Sequence, residues 1–368
     1  MKKHCVLNLF IVFSLVMMAS CQSQVTETPS PGENRQEKQD IREIKENSIQ
    51  SDKFIENVDW LSNTDVLSVI EEEGGAAFYV SDVFEGGSKE IYQIPSSYVH
   101  SVVSPDKDKI LIHSAPATYS AMITIIDLNG KVIYQDEIPS YELSYEWNEF
   151  DTAKLLITSF AEDWSFEVYE LDLNTSQLEK VDVEQPFLKW NSDVSVLYQD
   201  WDSDEISVSA PLISQNLLDG KKETVDASSI HFERFPEMLL SVHESAGADD
   251  DFTYQFINES GEIISNFQMT LLSRYSDWFI PFYDMIENKN ELITFQANEP
   301  GIFDTYSGTF TLKKWNVLNG SEKTLVEEIP VEPIQCAPEG TYCLYGNQLE
   351  KVINLNDSTI IPLVKKEG

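Results

Sequence analysis

The chain has 368 residues, 42% hydrophobic and 11% aromatic, enough to bury a large core. Its 25 Lys and Arg stand against 63 Asp and Glu, a formal net charge of -38, which argues against nucleic acid or an anionic membrane surface as a partner of the folded body. The four cysteines, Cys5, Cys21, Cys336 and Cys343, form no C-x-x-C pair and give no support to zinc or thioredoxin-type chemistry.

The chain opens with a basic start, Met1-Lys2-Lys3-His4, and an uncharged apolar run from Val6 to Met17, too short and too terminal to span a bilayer comfortably. Met18-Ala19-Ser20-Cys21 follows, and then abruptly polar sequence. Small residues abutting a cysteine at the end of an apolar run resemble the lipobox of bacterial lipoproteins. The resemblance implies a signal peptide over 1–20 and a diacylglycerol on the Cys21 thiol, which becomes the new N-terminus. An ordinary signal peptide with an incidental cysteine is the other reading. Residues 21–56 are rich in Gln, Ser, Thr, Glu, Pro and Lys and read as a flexible tether of roughly 35 residues, with a mean reach on the order of 30 Å. Within it Ile41, Ile44 and Ile49 form at most one weak amphipathic turn.

From residue 57 to 366 the pattern is short β-type runs separated by turn chemistry. The clearest unit runs from Tyr98 to Pro139: Tyr98–Val103, a Ser104-Pro105-Asp106 turn, Ile110–Ser114, a break at Ala115–Ser120, Met122–Asp127, a Leu128-Asn129-Gly130-Lys131 turn, and Val132–Ile138. Comparable segments begin near residues 58, 98, 141, 187, 230, 278 and 333, a period of roughly 40–55 residues, where a four-stranded propeller blade needs about 40–45. Ile94-Pro95, Ile138-Pro139 and Ile329-Pro330 each close an outer strand, where proline suits a strand leaving its ladder. The fold class is all-β, a propeller of four-stranded antiparallel blades, seven by repeat count.

Ser104-Pro105-Asp106 followed by Ile110-Leu111-Ile112 is similar to the blade turn of TolB-like propellers. Together with the lipobox, the mature chain resembles the YqgU-like propeller lipoproteins of Gram-positive bacteria. That resemblance implies six blades, the alternative to the count of seven, and no assigned activity.

No G-x-S-x-G, H-E-x-x-H, P-loop or G-x-G-x-x-G pattern occurs, so no catalytic, cofactor or metal residues are assigned. His100, His113, His231 and His243 fall in or beside strand runs and read as structural. Asp200-Trp201-Asp202-Ser203-Asp204 invites a calcium reading, but Glu205 and Pro211 stand where an EF-hand needs glycine and an acid. A looser calcium loop and a solvated acidic turn both stay open. Pro338-Glu339-Gly340-Thr341 reads as a four-residue hairpin loop that sets Cys336 opposite Cys343, within disulfide range in an oxidising compartment. Two free buried thiols are the other reading.

Sorting loops by face shows an asymmetry. The loops between second and third strands hold no Lys or Arg but carry Trp164, Trp201, Tyr306, Asp200, Asp202 and Asp204, a candidate ligand face for a cationic peptide, a cation or a sugar. The expected function is a lipid-anchored, extracytoplasmic, non-catalytic binding module at the cell membrane of a Gram-positive-type cell, held through its N-terminal lipid and meeting a protein or peptide partner. The alternative is a carboxylate- or metal-dependent propeller hydrolase. A metal-bound, funnel-lining cluster of Asp, Glu, Asn or His favours the second, and a smooth funnel without perturbed acids the first.

Overall fold

Each repeat folds into a four-stranded antiparallel sheet whose strands pair in chain order, A to D. The computed structural model describes residues 43–45, 52–202, 207–245 and 251–364. Seven such sheets span residues 54–94, 97–139, 142–181, 189–229, 231–270, 283–329 and 334–362. A two-stranded ribbon, Leu272–Ser273 with Trp278–Phe279, lies between the fifth and sixth. The first strand begins at Phe54, and Ile44, within the compositionally tether-like stretch, is buried beside the first blade, where the Lys45 N–H donates to the Val83 carbonyl at 2.8 Å.

The second blade shows why the sequence folds this way. Strand A, Ser97–Val103, turns at Ser104, whose N–H donates to the Lys109 carbonyl at 2.9 Å, with Lys107 at φ 59°. In strand B, Lys109–Ala117, Ile110 and Ile112 pack toward the first blade and Leu111 toward the third, all three fully buried. A strand covered on both faces has no solvent side, so its run is continuously apolar rather than alternating. Each such side chain contributes roughly 1.5–3 kcal/mol on burial. Strand D, Val132–Pro139, is the outer one and leaves Val132 and Ile133 exposed.

The same two-sided packing recurs around the ring. Seven apolar clusters each join one blade to the next, and the seventh joins the last blade to the first through Trp60, Val66 and Phe84 against Leu344, Val352 and Leu363. Among the described residues each blade is built from consecutive strands, and the ring closes by side-chain packing and a few hydrogen bonds. Among these, the Asn57 N–H donates to the Gln348 carbonyl at 3.0 Å and its side-chain amide to that of Leu349 at 2.8 Å.

Candidate functional site

Strand A of each blade faces the axis, and there the charge lies. Alternation along a strand sends one side chain into the inter-blade core and the next to the opposite face. Asp59-Trp60, Glu146-Trp147 and Lys189-Trp190 obey this: each tryptophan is buried, and Asp59, Glu146 and Lys189 are turned toward the channel, half-buried. Strand A and the A–B turns enclose a cavity of about 710 Å³ at one end of the axis. Asp59, Asp106, Glu146, Glu149, Asp284 and Glu287 line it, and Lys107 is the one cation among its lining residues.

Deeper in the channel, polar groups from four blades form one chain of contacts. Lys189 lies 3.2 Å from Glu146 Oε2 and 3.0 Å from Glu233 Oε1. Tyr283 donates its hydroxyl proton to Glu233 Oε2 at 3.0 Å, so its oxygen accepts from His231 Nε2, 2.8 Å away. That fixes His231 as the Nε2–H tautomer, and burial, which lowers its pKa, keeps it neutral. Across the channel, Tyr98 donates to Glu56 and accepts from Ser101 at 2.9 Å, and His100 stacks on Tyr145.

Crowding of carboxylates away from bulk water raises their pKa values. Burial pushes Glu149 up to about 8, reinforced by the charges of Glu287, Glu233 and Glu146. Burial likewise raises Glu146 to about 7, against the pull of Lys189. Asp284 also rises to about 7 by burial, although its carboxylate accepts the Cys336 N–H at 2.5 Å and the Met285 N–H at 3.0 Å. Channel water still reaches about a quarter of the Glu146 side chain (28% exposed), so these are wetted acids in a confined space. Two acceptors, Glu149 Oε2 and Gln335 Oε1, are buried with no hydrogen-bond partner among the described residues. Buried oxygens without donors favour a ligand that brings N–H or O–H groups. Among the described residues, no three or more His, Cys, Asp or Glu are grouped so as to hold a metal ion.

The B–C loops lie at the other end of the axis, and the residues singled out there from sequence do not form one patch. Trp164 is exposed on the third blade among other aromatic rings. Trp201, on the fourth, borders a separate cavity of about 290 Å³ with Arg274, Asp277 and Trp278. Asp200 and Asp202 are exposed beside Trp201, and Asp204 lies outside the described residues. Tyr306, on the sixth blade, is half-buried against Phe310 and donates its hydroxyl to the Thr309 carbonyl at 3.1 Å. Of the lysines near the opposite face, Lys107 pairs with Asp59, Lys109 with Asp106 and Asp108, and Lys154 with Glu170. Cys336 and Cys343 stand directly opposite on the first two strands of the last blade, joined by a disulfide with Cα atoms 3.8 Å apart. Cys21 lies outside the described residues.

The channel acids were missed from sequence because each, taken alone, is an ordinary polar position on an alternating strand. The one recurrent sign is a charged residue followed by tryptophan at the end of strand A, in Asp59-Trp60, Glu146-Trp147 and Lys189-Trp190.

Comparison with known proteins agrees with this architecture. Residues 82–346 match the family model described as a YqgU-like 6-bladed beta propeller domain. The uncharacterized lipoprotein YqgU of Bacillus subtilis (strain 168) is 23% identical over 348 residues, 94% of this chain and 94% of that one. The crystal structure of the uncharacterized protein lmo1340 from Listeria monocytogenes EGD-e superposes with a TM-score of 0.80 at 24% identity, covering 88% of this chain and 98% of that one. The β-propeller domain of the Trilobed protease from Pyrococcus furiosus, described as having an open velcro topology, superposes with a TM-score of 0.57 at 13% identity over 86% of this chain and 99% of that one. The matched span starts at the last residue of the first blade's strand C and ends just past the last blade's strand B. The first and seventh blades are therefore only partly inside it, beside a family description that counts six.

Proposed function

The chain belongs to the YqgU-like 6-bladed beta propeller family, and from this we propose that it is a lipid-anchored, extracytoplasmic receptor whose axial channel binds a cationic, hydrogen-bond-donating ligand without turning it over. The lipobox at Cys21 and the lipoprotein name of the Bacillus subtilis relative support the anchor. One observation carries the ligand class: six carboxylates line a cavity of about 710 Å³. Asp59, Asp106 and Glu146 are paired with lysines; Glu149, Asp284 and Glu287 have no salt bridge to a lysine or arginine among the described residues, and two unpartnered oxygens lie among the walls. An ammonium or guanidinium group there satisfies those oxygens and offsets the crowded charge.

Calorimetry with spermidine and with free arginine tests this on the soluble mature chain. Saturable binding that weakens about tenfold in Glu149→Gln, and strengthens as pH rises through 7 to 8, is the expected result. No binding of either probe across that range sinks the channel reading. For the anchor, Cys21→Ala is expected to release the protein from the membrane fraction, and retention overturns it.

A specific observation favours a second reading, a carboxylate-dependent hydrolase. Glu149, at about 8, and Glu146, at about 7, have the near-neutral pKa values that general acids need. Substrate turnover abolished by Glu149→Gln with folding intact would replace the binding reading.

A further inference from the structure

At the B–C end of the axis four large aromatic side chains are left in solvent near one another. Tyr119, Tyr141, Trp164 and Phe187 are 53%, 54%, 62% and 69% exposed. They form a continuous ladder from the second blade to the fourth. Tyr119 meets Tyr141 at 5.7 Å between ring centroids and Tyr141 meets Trp164 at 6.4 Å; buried Phe160 then bridges Trp164 at 6.1 Å and Phe187 at 5.7 Å. A contiguous exposed aromatic surface of this kind marks an interaction site.

The frame beneath the rings is fixed. Tyr119 and Trp164 sit at φ 61° and 64°, a region bulky residues rarely occupy. The Trp164 N–H donates to the Ala161 carbonyl at 3.0 Å, and Asp163 Oδ1 accepts both the N–H and the hydroxyl of Ser165, at 3.1 and 2.7 Å. The Tyr119 carbonyl is held by the Ser140 N–H at 3.1 Å.

Two features define the occupant. The exposed neighbours are mutually tilted, by 31° between Tyr119 and Tyr141 and 72° between Tyr141 and Trp164, and buried Phe160 floors the gap between Trp164 and Phe187, so the surface is grooved rather than a flat strip. Clefts between tilted aromatics suit the pyrrolidine rings of a polyproline II helix, which is preformed and loses little entropy on docking. Residues 117–120, 139–142, 160–166 and 185–188, which carry the rings, contain Glu142, Glu162 and Asp163 and no lysine or arginine. That charge selects a basic partner and repels an anionic lipid surface.

We propose that this ladder docks an extended, proline-rich, basic segment of a partner protein, with Trp164 and Phe187 as its anchoring rings.

Fluorescence anisotropy on the soluble mature chain tests it with a labelled Arg-Pro-Pro-Pro-Pro-Pro-Arg peptide. The expected result is saturable binding that weakens about tenfold or more in Trp164→Ala and in Phe187→Ala and falls with added salt. Saturating spermidine is expected not to displace the peptide, which separates this site from the channel. Both side chains are exposed, so thermal melts are expected to match the parent; Tyr141→Ala provides a third reading should either variant melt early. An alanine-for-proline peptide of the same charge is expected to bind at least tenfold more weakly, and equal binding overturns the proposal. So does an unchanged affinity in all three ring variants. Binding of chitooligosaccharides or anionic vesicles in place of the peptide replaces the occupant and overturns it as well.

Discussion

Trp60 in the first blade donates its indole N–H to the backbone carbonyl of Gln335 in the last, 3.1 Å away. Trp190 makes the same 3.1 Å bond to the carbonyl of Glu146 in the blade before it. The contact between the last and first blades thus repeats the one made between the third and fourth. Trp60→Phe and Trp190→Phe each remove this bond and part of a buried ring, and each is expected to cost about 1–3 kcal/mol of unfolding free energy. Urea titration measures both. A cost confined to Trp190→Phe would mean that the closing contact is not made in solution.

Glu149 makes stability depend on pH in a predictable direction. Its folded pKa, about 8, lies above the ordinary glutamate value of 4.5. Between those values the native state holds a proton that the unfolded chain releases, so the glutamate's contribution is fully present below about 4.5 and is lost as pH rises toward 8. Glu149→Gln is therefore expected to melt higher than the parent at pH 8 and with little difference at pH 4. Melting curves across that range check it. A difference of the same size at both pH values would show that the effect is packing, not ionisation.

The Cys336–Cys343 disulfide closes a short hairpin loop. In the chain-entropy picture a loop of this size stabilises by about 2–3 kcal/mol. The Cys336→Ala/Cys343→Ala double variant, unfolded in urea beside the oxidised parent, is expected to lose about that much, and the parent in reductant is expected to behave like the variant. Two alkylatable thiols in the unreduced, denatured parent would contradict the bond.

Gly130 and Gly220 occupy equivalent blade turns, at φ +79° and +71°. A Cβ on Gly130 would lie 1.8 Å from the Ile91 carbonyl oxygen in the neighbouring blade, and one on Gly220 would meet nothing within 4 Å. Both alanine variants carry left-handed strain of about 1 kcal/mol, and only Gly130→Ala must also push blades apart. It is expected to cost at least about 1 kcal/mol more than Gly220→Ala in denaturant unfolding. Equal costs would place the first and second blades further apart than they stand here.

The sequence alone determined the local and periodic features: strand runs, blade turns with their glycines, prolines at outer-strand ends, and the seven-fold repetition. These follow from neighbours along the chain. Ile110-Leu111-Ile112 reads as a doubly covered strand because nothing polar interrupts it. Only the tertiary structure decided where the chemistry gathers. Glu146, Lys189, Glu233 and Tyr283 come from four separate blades, and nothing in their local sequence orients them toward one another. Closing the ring points every strand A at one axis, and burial there raises the pKa values of Glu146, Glu149 and Asp284. The same closure lines up Tyr119, Tyr141 and Trp164, with Phe187 joined to them through Phe160, at the far end and leaves Trp201 and Tyr306 apart from them.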